Sequence, residues 1–261
     1  MSWLLGIIGL LTLLLLSLLL LRVVARERDP WVLLFASPSL ALVLLILWGA
    51  LTLRFLELTS SVILLIPCCL AFCAPLVSEF RATDRPRAAN IAWRDGNLCT
   101  LLCLPGLGLV VFFALFWQSV TLGIADGFFL HTSVIGLMLK GIYPPVTFTG
   151  EPFLGHFGRD LLVVMLAKLT SIHFWEMDWI TNVVAQVLSF LFLAHWTRRL
   201  CGGTAYGVAI SSFVFFGSAL GSHLGLVDTL TNNNAVAYLH LLFCSYLALN
   251  WFREPRTGSA V

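Results

Sequence analysis

The sequence predicts an all-α, polytopic membrane protein with about seven transmembrane helices, plus two short interfacial helices in one large extracytoplasmic loop. Three observations predict it. Of 261 residues, 59% are hydrophobic and only 11% are charged, a balance that no water-soluble core requires. Uncharged apolar windows recur at the length of roughly 20 residues that a bilayer core of about 30 Å needs in helix. Lys and Arg then sort to one side of those windows.

The opening run, "MSWLLGIIGLLTLLLLSLLLL", lacks the basic start of a cleavable signal and exceeds its usual apolar length, so it reads as a retained first span, Ser2 to Leu21. Trp31 to Leu53 and Leu58 to Ser78 complete a first unit, residues 1–96. The basic stretch "FRATDRPRAANIAWRDG" closes it, a cytoplasmic connection that rests against anionic lipid. The second unit, residues 97–261, holds spans from Leu98 to about Val120, Trp179 to Thr197, Leu200 to Ser222 and Ala235 to Phe252. Pro67, Pro75 and Pro105 fall inside spans, where they kink helices whose freed carbonyls find partners on neighbours.

Topology turns on Leu161 to Ile172, "LLVVMLAKLTSI", which is apolar but short and contains Lys168. With this segment kept out of the membrane core, Arg22, Arg26, Arg28, Arg81, Arg85, Arg87, Arg94, Arg198, Arg199, Arg253 and Arg256 share one side. Arg54, Lys140, Arg159 and Lys168 lie on the other. That asymmetry is the positive-inside pattern. It puts the N-terminus outside, the C-terminus in the cytoplasm and residues 121–178 in one extracytoplasmic loop; a bacterial inner (plasma) membrane is the expected location. The final "REPRTGSAV" reads as a cytoplasmic tail and fits a true terminus and a cut between spans equally well.

Other classes recede on composition. The net charge of +2 is dispersed, whereas nucleic-acid binding wants a clustered basic face. The seven cysteines, Cys68, Cys69, Cys73, Cys99, Cys103, Cys201 and Cys244, show neither paired CxxC knuckles nor a disulfide framework. They read as small packing residues between helices.

The outer loop carries two helical stretches separated by "GIYPPVTFTGEP", where prolines and glycines forbid continuous helix. Both are too short to span and too apolar to float in water, so each is expected at the interface with an apolar side toward lipid. In the second, His156, Arg159, Asp160, Ala167 and Ser171 fall near one side at helical spacing. In the first, Asp126, Ser133, Gly136 and Lys140 share a side and His131 points elsewhere.

A spanning helix, then "ADGFFLH", a helix ending in "KGIYPP", then "GEPFLGHFGRDLLVVMLAKLTSI", then "WITNVVAQVLSFLFLAHWTRRLCGGTAYGVAISSFVFFGSALG" resembles the amino-terminal module of the GT-C superfamily of membrane glycosyltransferases. There the first outer loop places an acidic residue just beyond a membrane helix and two jaw helices on the bilayer. The resemblance covers roughly Leu98 to Ser222. The chain departs from the family in having Asp126 followed by Gly127 where an acidic pair is common, and in ending before the further spans of complete members.

As the resemblance implies, such a transferase moves a sugar from a polyprenyl-phosphate donor in the membrane lipid to an acceptor hydroxyl at the outer face. A carboxylate would take the acceptor's proton, a role worth roughly 10²- to 10⁴-fold. A cation, metal or side chain, would offset charge on the departing phosphate. Asp126 is the candidate base or metal-orienting acid; an Asp before Gly127 and an apolar helix is equally what an N-cap needs. His131 is a candidate to bind acceptor or to hold Asp126, or a residue that turns its polar edge to water. His156 and Asp160, four apart, form a candidate imidazole–carboxylate pair on one helix face, and a solvated face gives the same spacing. Arg159 and Lys168 are candidate phosphate partners, or contacts for lipid headgroups. Asp228, in "HLGLVDTLTNNNA", is a candidate second ligand with Asp126 for a divalent cation, Mg or Mn, since hard cations prefer oxygen. His240 lies within a span, where a polar group usually faces the bundle. The rival expectation is a non-catalytic or truncated subunit that packs with a partner membrane protein. A small transporter ranks last, since no pair of matching broken helices appears.

Overall fold

The computed structural model describes residues 3–25, 27, 30–83, 125–147, 149–152, 157–201 and 235–253. Among them the chain forms seven helices: α1 (Trp3–Leu19), α2 (Pro30–Thr52), α3 (Leu58–Thr83), α4 (Ala125–Leu139), α5 (Gly158–Thr170), α6 (Phe174–Cys201) and α7 (Ala235–Arg253). The last turn of α1 widens into π-helix over Leu20–Val24. Four stretches, Leu4–Val24, Val32–Thr52, Leu58–Phe80 and Phe174–Thr197, are long and apolar enough to cross a membrane, and Val236–Leu249 is a shorter apolar helix. The expected span from Leu98 to about Val120 lies outside the described residues, as do residues 202–222 of the expected span from Leu200.

Helix α2 runs through Pro38, and α3 through both Pro67 and Pro75. Three buried hydroxyls within the apolar helices bond the preceding turn, Ser17 donating to the Leu13 carbonyl, Ser37 to Leu33 and Ser189 to Ala185, which spares each from facing hydrocarbon alone. At the α2–α3 turn, Trp48 Nε1 donates to the Ser61 carbonyl at 2.9 Å. The described cysteines form no disulfide, and Cys69 and Cys73 are core residues.

Helix α4 ends as its sequence demands. Gly141 takes φ 85°, the Ile142 N–H bonds the Leu137 carbonyl and the Gly141 N–H bonds Met138. That is a Schellman ending, which needs a left-handed residue that glycine supplies without a Cβ clash. The loop beyond it closes on itself through a bridge between Val146 and Pro152.

The main departure from expectation is α5. Its apolar side is not left for lipid: Leu162, Val163, Val164 and Met165 are fully buried, and α5 packs against α1, α2, α3, α4 and α6. Between its charged first turn and Lys168 the helix is apolar on every side, and such a stretch is stable only when enclosed. Its neighbours make room with glycine. A Cβ on Gly6 would lie 1.7 Å from the Leu169 carbonyl oxygen, one on Gly9 would lie 3.0 Å from Leu169, and one on Gly49 would lie 3.1 Å from Met165. The contacts also place α5: it meets the N-terminal part of α1 and the C-terminal part of α2, and Gly9 faces Ile66 in the first half of α3. These three helix ends form one end of the bundle, and α5 lies there.

At the opposite end, Tyr246 of α7 packs edge-on against Phe192 of α6 and donates to Glu27 at 2.9 Å. Arg22 lies over the Phe80 ring.

The close approach makes a differential prediction. Gly6→Leu should lower the melting temperature or abolish the folded protein, because α5 backbone occupies the space. Gly136→Ala, where a Cβ meets nothing within 4 Å, should leave stability unchanged or raise it by about 0.5–1 kcal/mol. Thermal melts of both variants in detergent check this.

Candidate functional site

Three helices bring polar side chains together at the end of the bundle that holds α5. The first turn of α5 carries Arg159 and Asp160, adjacent in sequence and both buried. An anion in this turn is favoured by the helix dipole and a cation is not, so Arg159 must find its compensation elsewhere. It does so on α6: one terminal nitrogen donates to Asp178 and Nε donates to Asn182 at 3.4 Å. The other terminal nitrogen donates to Asp160 at 3.4 Å. Burial pulls the Arg159 guanidinium down from its ordinary value to about 10, with Asp160 pulling the other way, so the side chain stays cationic at neutral pH.

Asp160 is also the partner of α4. His131 Nδ1 lies 2.9 Å from Oδ1 and 2.8 Å from Oδ2 of that carboxylate. The imidazole is 14% exposed and the Asp160 side chain 1%. The result is one connected group, His131–Asp160–Arg159–Asp178, with Asn182 beside it. One guanidinium faces two carboxylates, and a protonated imidazole would bring the group to neutrality.

The expected residues divide. His131, Arg159 and Asp160 are brought together, but in a pairing the sequence did not offer, since His131 holds Asp160 across 29 residues. Lys168 is in the last turn of α5, nine residues from Arg159, which is about 13.5 Å along a helix and near the opposite side; the structure does not bring it to the group. The backbone of Asp126 is in the first turn of α4, and its side chain lies outside the described residues. His156 and Asp228 lie outside the described residues too. Sequence reasoning missed Asn182 and gave Asp178 no role. Helix α6 begins at Phe174 rather than Trp179, so Asp178 is inside the helix and four residues from Asn182, on the same face. That polar pair at the head of an apolar helix was the available signal.

A cation does not fit the described carboxylates. Arg159 already stands between Asp160 and Asp178, where a metal would bind, and no group of three or more His, Cys, Asp or Glu gathers among the described residues. Nearby, the Tyr143 ring meets Phe157 edge-on at 6.0 Å, just before the charged turn. Burial pushes the Tyr143 phenol up, and Arg54 opposes it, which brings the α2–α3 turn to the same end.

These features define an all-helical integral membrane protein with a buried charged group at one end of its helical bundle. The chain matches no family model, no curated protein and no solved structure.

The ion pairs predict an order of sensitivity. Asp160→Ala leaves a buried guanidinium half compensated and should lower unfolding free energy by about 3–5 kcal/mol. Asp178→Ala should lower it less, because that side chain is 24% exposed. Chemical denaturation in detergent micelles reads both; equal losses would contradict the assignment of Asp160 as the central partner.

Proposed function

We propose that the chain is a membrane glycosyltransferase-like protein that transfers a sugar from a polyprenyl-phosphate-linked donor to an acceptor hydroxyl at the extracytoplasmic face. The observation that carries this reading is the gathering of His131, Asp160, Arg159 and Asp178 at one end of an otherwise apolar bundle. In this reading α4 and α5 correspond to the jaw helices of the GT-C module, Asp126 stands at the start of the first, and the chain has seven spans with its N-terminus outside. Charge buried in an apolar bundle is costly unless it is compensated, and acceptor activation needs a proton-accepting group beside a membrane-held donor. Asp126 and Asp228 remain the candidate ligands for a divalent cation, and no step of the reading depends on one.

The test is transfer of a labelled sugar from a polyprenyl phosphate to a hydroxyl acceptor by the full chain in nanodiscs. Asp126→Asn should abolish product while expression and membrane insertion persist; wild-type product in that variant would remove Asp126 from the reaction. For orientation, Thr149→Cys, in an exposed part of the α4–α5 loop, should react with an impermeant thiol reagent added from outside. Labelling from the cytoplasmic side alone would reverse the topology.

A second reading is a non-catalytic subunit that packs with a partner membrane protein. One observation favours it: Arg159 is enclosed by two carboxylates and an amide, the arrangement of a structural lock. Under it Asp126→Asn is silent, and the function lost on disrupting the bundle is assembly.

A further inference from the structure

We propose that α2 and α7 enclose a water-binding site, in which one water molecule bridges Ser39 Oγ and His240 Nε2 in the apolar interior of the bundle. The site is separate from the charged group. Ser39 is ten residues before Gly49, where α5 packs, and ten residues are about 15 Å of helix.

Both polar atoms are buried, and neither has a hydrogen-bond partner among the described residues. Helix α2 packs against α7 and the His240 ring interacts with the Ser39 backbone, so the two atoms belong to one helix contact. The other buried serines do not leave a hydroxyl unmet. Ser17, Ser37 and Ser189 donate to their own preceding turns, and Ser61 Oγ pairs with Thr52 Oγ1. Ser39 is fully buried yet does not turn to the Phe35 carbonyl one helical turn back. Its neighbour adds to the deficit: Pro38 lies inside α2 and has no N–H, so the Leu34 carbonyl loses its helical donor in the same turn.

The surroundings make this deficit expensive. Ala36, one turn before Ser39, and Val236 and Phe243, one turn to either side of His240, are core residues. A hydroxyl and a ring nitrogen left unmet among such neighbours forfeit their hydration with nothing in return. Water is the guest whose chemistry matches. It donates and accepts, so it serves the serine hydroxyl and Nε2 in either tautomer of the imidazole. Buried waters characteristically satisfy polar groups of this kind, and proline-interrupted membrane helices recruit them for freed carbonyls. A metal ion would need more ligands, and no group of three or more His, Cys, Asp or Glu gathers among the described residues.

The test is polarisation transfer from water to protein, read by solid-state NMR of the full chain in nanodiscs. The six histidines carry ¹⁵N, and the His240 signals are assigned by their loss in His240→Gln. The expected result is transfer from water to a His240 ring nitrogen that is lost or strongly reduced in Ser39→Ala. A ring that receives nothing from water overturns the proposal. So does transfer unchanged in Ser39→Ala, which comes from solvent reached by another route. Thermal melts in detergent supply an independent sign. Deleting a hydroxyl that has no partner removes an unmet group, so without the water Ser39→Ala leaves the melting temperature unchanged or raises it. With the water it lowers the melting temperature, because the bridge to His240 is broken; a melting temperature that holds or rises counts against the site.

Discussion

Arg159 and Asp160 enter the bundle side by side on the first turn of a helix whose remaining residues are almost entirely apolar and buried, so their charges must be neutralised by neighbours rather than by water. An ion pair taken out of water recovers its desolvation penalty only when the remaining donors and acceptors are also met. Helix α4 supplies an imidazole to Asp160, and α6 supplies a carboxylate and an amide to Arg159. The requirement fixes how these helices stand: moving α4 or α6 away from α5 strands a buried charge.

The rest of α5 depends on shape rather than on charge. Gly6, Gly9 and Gly49 remove the side chains that would hold it off, so the backbones of α1 and α2 come close enough for dispersion to act over many atoms. Leu161 to Ala167 are then buried on every side. Polar capture at the N-terminal turn and close packing along the body hold one short helix in one place.

The all-helical class and the presence of membrane-length helices, four among the described residues, were legible from composition and window length, and the α4 ending from the order of Lys140 and Gly141. The enclosure of α5 was not. A short helix with an apolar side is compatible with lipid, with an interface and with protein, and the sequence around it does not distinguish them; the deciding signal is on other helices, in the "GIIG" of Gly6 to Gly9 and in Gly49. The site was legible in part. Arg159, Asp160 and His131 stand out as polar residues in an apolar chain, but their pairing joins residues 29 apart in sequence, and helical spacing pairs only residues three or four apart. Spacing therefore offered His156 to Asp160; the structure joins His131 to Asp160, and His156 lies outside the described residues.

If α4, α5 and α6 are bound through shared charges, their polar residues act as a unit in stability and not as independent contributions. The most direct measurement is a double-mutant cycle on His131→Gln and Asp160→Asn, read by equilibrium unfolding of the full chain in detergent. The account predicts that the two losses overlap, with a coupling energy of about 0.5–3 kcal/mol. Losses that add within about 0.5 kcal/mol would contradict it, because the imidazole and the carboxylate would then contribute independently.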